Sequence, residues 1–588
     1  MVRHRFRWVV CQLDTLRRCF PASIRRALNE LPMTLDETYE RILLGIDREK
    51  REHAIRLLKC LAFSRRPLRV KELAEILAVQ FDTTIPRLDT SLRPRDPDEA
   101  VLSACSTLVV ITIGYNDYDY DHDHYPRLVQ FSHYSVKEFL TSERLANSDK
   151  RDLSQYYISP EPAHTILAQS CISTLLQPGI HLEDITGGFP LARYAAKNWY
   201  HHAQCDGVAS QIQDGMERLF DPDKKHFSMW ISIHDMDNPG PWKFPAKTEP
   251  SPLYYAAFCG IRSLVEHLII TRQQDPNKSH GKWGTSLHVA VVSGHTTIVR
   301  LLLDHTANVN SRYLDNETLL CVAVRSGNFD IAQLLLNHGA DVNALGRADS
   351  PLQEATRSQK LDAVEFLLKA GADANVRSID NRTVLHEAAH GGKFGIVRLL
   401  LSHGADGNTV DRREDSPLHQ AVRYQKLDVV ELLLKSGVDV NVRNMDNWTP
   451  LHEAAGSGNF EIARLLLSHG ADVHIIDGQG TSPLHHAARS HKPDGVELLL
   501  KSGADSDVNV RSIDNWTPLH ETAYRGNFDI VRLLLSHGAS VHIINDQGTS
   551  PLHHAVRSLK LDVVELLLQS GAEVNVRSID NWTPLHEA

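Results

Sequence analysis

At 588 residues the chain is too long for one hydrophobic core, and its length alone sets an expectation of roughly three to five domains. Hydrophobic residues at 42% and charged residues at 23% exclude a disordered chain, and no run approaches the roughly 18 apolar residues of a membrane-crossing helix. A net charge of -10, from 63 Lys and Arg against 73 Asp and Glu, argues against a protein whose main partner is a nucleic-acid backbone.

The eight cysteines (Cys11, Cys19, Cys60, Cys105, Cys171, Cys205, Cys259 and Cys321) lack CxxC spacing and read as buried free thiols of a reducing compartment. The basic start MVRHRFRWVV meets polar Gln12 and Asp14 before any apolar core of signal-peptide length. The expected location is intracellular, in the cytoplasm, with the nucleus as the other compartment this reading allows.

In chain order, Trp8 to Leu16 has helical spacing, and Thr34 with Glu37 forms a capping-box pattern opening a helix that carries Leu35, Tyr39, Ile42 and Leu43. An apolar helix over Ala54 to Phe63 follows, broken at Arg65-Arg66-Pro67. Then come a helix over Val70 to Val79, another near Glu99 to Ser106, and two strand-like runs, Leu108 to Ile113 and Leu128 to Phe131. Helices followed by a hairpin describe a winged helix.

Arg65, Arg66, Arg69 and Lys71 beside its helix-turn-helix could contact DNA, or form a solvated or domain-packing face. The loop Asp117 to His124 (DYDYDHDH) has ligand atoms for a weak metal site, although its place between two strands reads first as a wing loop.

The segments RFRWVVCQLDTLRRC, LPMTLDETYERIL, FSRRPLRVKELAEILAV, LVQFSHYSVKEFL and LARYAAKNWYHHAQC resemble the region after the nucleotide-binding core of fungal NACHT-type STAND proteins, a region similar to the winged helix of a GPI inositol-deacylase family. The resemblance covers roughly residues 5–205 and implies a NACHT module before the winged helix and a ligand-sensing repeat array after it. The phosphate loop of that module is not found. The nearest match, Gly281-Lys282-Trp283, has Trp where magnesium chemistry needs a hydroxyl.

From Ser251 the sequence becomes periodic. A leucine after Ser/Thr-Pro or a close variant recurs at Leu253, Leu287, Leu320, Leu352, Leu385, Leu418, Leu451, Leu484, Leu519, Leu552 and Leu585, at intervals of 32 to 35 residues. In one unit, Thr449 caps a short helix with Pro450 at its first position, and Leu451, Ala454 and Ala455 share a face. Gly458-Asn459 breaks the chain. A second helix, Phe460 to Ser468, places Ile462, Leu465 and Leu466 on its apolar side and ends at His469-Gly470.

The pattern resembles the ankyrin signature T-P-L-H-x-A in about eleven units. Units also alternate between two types, so the true period is a pair of about 66 residues that implies duplication of pairs.

The turn Val-Arg-Ser-Ile-Asp-Asn, or a close variant, recurs in every second unit and places Arg377, Arg443, Arg511 and Arg577 in a row, with Trp448, Trp516 and Trp582 after the turn. Arg and Trp are favoured interface anchors, which makes the row a candidate protein-binding surface. The structural alternative is that Asp-Asn makes the turn and Trp packs on the next unit.

His386-Glu387-Ala388-Ala389-His390 matches the zinc-protease motif H-E-x-x-H, but sister units have Gly456 and Tyr524 at the second histidine position, so the match reads as a decoy.

The expected fold is mainly α, an ankyrin-repeat solenoid preceded by an α-helical region and a winged-helix domain. Its expected segments are 1–50, a helical remnant following a NACHT module; 51–148, the winged helix; 149–249, a helical linker region; and 250–588, the repeats, with the last one truncated. Because that unit stops at Leu585-His586-Glu587-Ala588, further repeats or a frayed end are expected.

The expected function is protein interaction and sensing, as the regulatory and ligand-binding portion of a NACHT–ankyrin signalling receptor. No catalysis, cofactor or metal is expected. The partners would be a protein ligand on the ankyrin surface and a NACHT-bearing partner or N-terminal module, without membrane or nucleic acid. The alternative is a DNA-binding winged-helix regulator with an ankyrin arm.

Overall fold

A computed structural model describes residues 34–114, 126–178, 188–237, 251–278, 281–312, 316–346 and 349–588. The helix expected over Trp8 to Leu16, Cys11 and Cys19, and the Asp117 to His124 loop lie outside the described residues. The chain divides into two compact units, Met1–Val309 and Asn310–Ala588.

In the first unit, helix α1 (Leu35–Leu44) opens on the expected capping box, the Thr34 hydroxyl accepting from the Glu37 N–H at 3.2 Å while the Glu37 carboxylate accepts from the Thr34 N–H. Helix α2 (Arg51–Phe63) leads to strand β1 (Leu68–Arg69) and helix α3 (Val70–Ile76), which stops short of the expected Val79. Val79 belongs instead to a two-residue strand, β2 (Val79–Gln80), paired with β3 (Arg87–Leu88). The apolar run was continuous enough to read as helix, but the ladder takes its end.

Helix α4 (Pro97–Cys105) follows, and β4 (Val109–Ile113) pairs antiparallel with β5 (Arg127–Phe131) in the sheet order β1-β5-β4. Helix-turn-helix plus a three-stranded hairpin sheet is the winged-helix arrangement. Helix α1 belongs with it by packing, since the Tyr39 hydroxyl lies 2.8 Å from Ser135 Oγ and its ring lies 5.6 Å from that of Phe139, both on helix α5 (Tyr134–Leu140).

Helices α6 (Pro160–Leu175), α7 (Ala192–Ala203), α8 (Gln213–Leu219) and α9 (His226–Ile233) make the linker region. Its core is aromatic, with Trp199, Phe220, Phe227 and Trp230 in mutual contact at 5.3 to 5.9 Å and the Trp230 N–H donating to the Ala196 carbonyl. Two repeat-type helix pairs follow, Pro252–Cys259 with Arg262–Ile270 and Ser286–Val292 with Thr296–Asp304. The first packs on the linker helices: Tyr255 lies edge-on to Trp230 at 6.0 Å, and Gln204 donates to the Cys259 carbonyl.

The second unit repeats one design. Counting from Ser251, units 3 to 10 each have a short inner helix and a nine-residue outer helix, for instance Pro450–Ser457 and Phe460–Ser468 in unit 7. Small alanines on the inner helix let neighbours approach: Leu451, Ala454 and Ala455 are buried, as expected. On the outer helix Ile462 and Leu466 are buried, but Ala463 joins them while Leu465 turns half outward, because the helical period brings i+1 and i+4 to the core side.

The Ser/Thr-Pro-Leu-His histidine binds the units together. His452 Nδ1 meets the Thr449 cap, accepting from its N–H at 3.1 Å, and the Nε2–H donates to the Thr481 carbonyl of the next unit at 3.3 Å. His386, His419, His485, His520 and His553 make the same bridge, to the carbonyls of Asp415, Trp448, Trp516, Thr549 and Trp582. Histidine here takes the reciprocal role that Glu has in a capping box.

The described cysteines are free; Cys60, Cys105, Cys171, Cys259 and Cys321 are buried as expected, whereas Cys205, just past the end of α7, is only partly buried, and burial pushes the Cys60 and Cys105 thiols up to about 12. No helix among the described residues is long and apolar enough to cross a membrane.

Candidate interaction surface

Every second turn between units is built alike because Asp-Asn supplies a left-handed residue, where the intervening turns use Glu414, Gly480 and Gly548. Asn381, Asn447, Asn515 and Asn581 have φ of 60°, 57°, 56° and 64°, a conformation that asparagine tolerates better than most residues. Each turn closes with a main-chain bond, such as the Ser512 N–H to the Trp516 carbonyl at 2.8 Å. Neighbouring tips are then laced together: the N–H groups of Met445, Ile513 and Ile579 donate to the carbonyls of Arg413, Gln479 and Gln547, each at 3.0 Å. The row of tips is therefore braced by backbone, with side-chain bonds such as Asn381 Nδ2 to the Val410 carbonyl at 3.0 Å and Asn515 Nδ2 to Asp546 at 2.6 Å added to it.

Arg377, Arg443, Arg511 and Arg577 all project from these tips and are exposed. The tryptophans do something else. Trp448 lies 4.5 Å from the His486 ring, and Trp516 lies 4.4 Å from the His554 ring, each packing on the following unit. Trp582 stacks only on His586 of its own unit and is about half exposed.

Sequence reasoning missed a second row. Ile379, Met445, Ile513 and Ile579, two residues after each arginine, are 67%, 64%, 59% and 73% exposed. The signal was present, since an Asp-Asn turn has no need of an aliphatic residue before it. Each tip thus offers an arginine and a bare aliphatic side chain side by side, the mixture that protein interfaces favour.

The inner helices are electrically closed. Arg423 bonds the buried Asp415 at 2.6 Å and also Glu453 of the next unit, and Arg357 spans Asp349 and Glu387 in the same manner. Arg489 reaches Glu521 at 2.6 Å.

The H-E-x-x-H histidines are also engaged. His386 uses Nδ1 on Thr383 and Nε2 on the Asp415 carbonyl, and burial holds it down to about 4, while the His390 ring stacks on Tyr424 at 3.9 Å. His164, His202 and Tyr194 form a chain of hydrogen bonds at 2.8 and 2.9 Å that joins α6 to α7, and burial holds His202 down to about 3.

In the winged helix Arg66 forks onto the buried Glu72 at 2.6 and 2.7 Å and lies over the Tyr194 ring, which turns it into packing against α7. Arg65 and Lys71 are exposed. Helix α4, the helix that would read a groove, carries Asp98 and Glu99 in its first turn and no basic residue.

The family of ankyrin repeats matches residues 251–346, 352–444, 434–512 and 505–578, and the winged helix domain of GPI inositol-deacylase matches residues 39–150. The chain is 32% identical over 299 residues to the azaphilone pigments biosynthesis cluster protein L of Monascus ruber, covering 48% of this chain and 61% of that protein. It is also 54% identical over 37 residues to ankyrin repeat domain-containing protein 49 of Bos taurus, covering 6% of this chain and 16% of that one. The chain thus spans less than two thirds of the curated relatives it matches.

Proposed function

The chain belongs to the ankyrin-repeat family, and from that premise we propose that the tip face of its array binds a protein ligand, with no catalysis of its own. The observation that carries this reading is the doubled row: four exposed arginines and four exposed apolar residues side by side on turns braced by main-chain hydrogen bonds. A braced row binds without first ordering its own backbone. The histidines that would suggest chemistry are instead committed to caps and to bridges between units.

The finer reading makes this chain the regulatory and sensing portion of a NACHT–ankyrin receptor, acting in the cytoplasm beside a NACHT-bearing partner or module. Its support is the order of parts, a winged helix of the GPI inositol-deacylase type followed by the repeats.

The test is a pull-down from fungal lysate with the full chain and with a variant in which Arg377, Arg443, Arg511 and Arg577 become Ala and Ile379, Met445, Ile513 and Ile579 become Ser. Proteins enriched by the first and lost by the second, at unchanged circular dichroism, are expected. An identical set on both would overturn the tip face.

A further inference from the structure

Unit 8 departs from its sister units at three separate places. Its outer helix, Pro493–Lys501, carries Gly495 where the corresponding helices of units 4, 6 and 10 carry Ala363, Val429 and Val563, all fully buried. A Cβ placed on Gly495 would meet no atom within 4 Å. The space that valine fills in units 6 and 10 is unfilled here, and the helix interior has glycine's extra backbone freedom as well.

The turn after this helix is longer than the others. Leu484 to Leu519 is 35 residues where the neighbouring intervals are 33, and the added residues form a 3-10 turn over Ala504–Asp507, entered through Gly503 at φ 109°.

The third departure is in the ladder of asparagines joining successive turns. The N–H groups of Asp373, Asp406, Asp439 and Asp472 donate to the side-chain oxygens of Asn343, Asn375, Asn408 and Asn441, at 2.8 to 2.9 Å. At the next step His474 stands in the asparagine position, and among the described residues no such bond reaches the 504–507 turn. The ladder resumes with the Ser540 N–H on Asn509 at 2.8 Å. His542 makes the same replacement one pair later, without the glycine and without the longer turn.

A repeat array is stable unit by unit and interface by interface, so a unit that loses packing and a cross-link and also carries a longer turn opens before its neighbours do. We propose that unit 8 is a built-in point of local opening, which divides Asn310–Ala588 into two cooperative blocks on either side of it. The tips of Arg377, Ile379, Arg443 and Met445 ride on one block, and those of Arg511, Ile513, Arg577 and Ile579 on the other. The joint sets how the two halves of the row face a ligand, a consequence that rests on the reading of the tip face given above.

Native-state amide exchange on the full chain, without ligand, tests the opening separately from any binding. Amides of 493–501 are expected to exchange roughly 100-fold faster than those of the equivalent helix 427–435, from the missing valine and the added glycine together. Gly495→Val should slow the 493–501 amides toward the 427–435 rate, and Val429→Gly should make 427–435 exchange as fast as 493–501. Equal rates in the two helices of the unchanged protein, or a Gly495→Val variant that folds and leaves the 493–501 rate where it was, would overturn the proposal.

Discussion

His485 gives the sharpest stability prediction. Its Nδ1 accepts from the Ser482 N–H at 3.1 Å and its Nε2–H donates to the Trp516 carbonyl at 3.1 Å, so both nitrogens are satisfied only in the neutral ring. Burial, the largest cause, holds it down to about 4 from an ordinary 6.5. A proton added to Nδ1 would point at a backbone donor. Because the folded value is depressed, the stabilisation is fully present above 6.5 and is lost as pH falls through about 4.

At pH 5 the unfolded chain binds that proton and the folded chain does not, a difference of about 2 kcal/mol against a few tenths at pH 7. His485→Gln supplies the control, since unit 4 already uses Gln353 at this position, with its side-chain oxygen accepting from the Ser350 N–H at 2.7 Å. In urea titrations followed by circular dichroism, the variant should be less stable at pH 7, having exchanged its bridge to Trp516. Its loss between pH 7 and pH 5 should be smaller than the unchanged protein's by about 2 kcal/mol. Equal losses would refute the reasoning.

Arg423→Ala, which leaves the buried Asp415 with Asn444 and Gln420 as its remaining side-chain partners, should destabilise by about 1–2 kcal/mol, whereas Arg464→Ala on an exposed helix face should stay within about 0.5 kcal/mol. The same urea titrations read both. The acidic first turn of α4 and the engagement of Arg66 predict that fluorescence anisotropy with duplex DNA shows no tight binding and no steep fall between 50 and 200 mM salt, concentrations at which about six phosphate contacts would change affinity by about 1000-fold.

The repeats were legible in the sequence because each unit states its structure locally, with cap, proline, alanines and glycine at fixed offsets. The winged helix was legible in order but not in its ends, since Val79 looks like helix by hydrophobicity and is decided by its pairing with Leu88. The exposed tip arginines were located by the recurrence of their turn in every second unit. Ile379 and its counterparts were missed although they stand directly before the Asp-Asn turn, because the signal lies in that placement and not in the residue type, and the closing of the turn is what leaves them outward. The packing of Trp448 and Trp516 was not legible locally, because their ring partners, His486 and His554, lie 38 residues further on in the following unit.

The measurement that bears most directly on the central claim is a peptide-display selection against the full chain, with the enriched peptides titrated on three proteins by calorimetry. These are the unchanged chain, the eightfold tip variant, and a control with Arg398, Arg464 and Arg532 on the outer helices changed to Ala. The account predicts that the tip variant loses at least tenfold in affinity while the control binds as the unchanged chain does. Equal affinity for the tip variant, or loss confined to the outer-helix control, would contradict it.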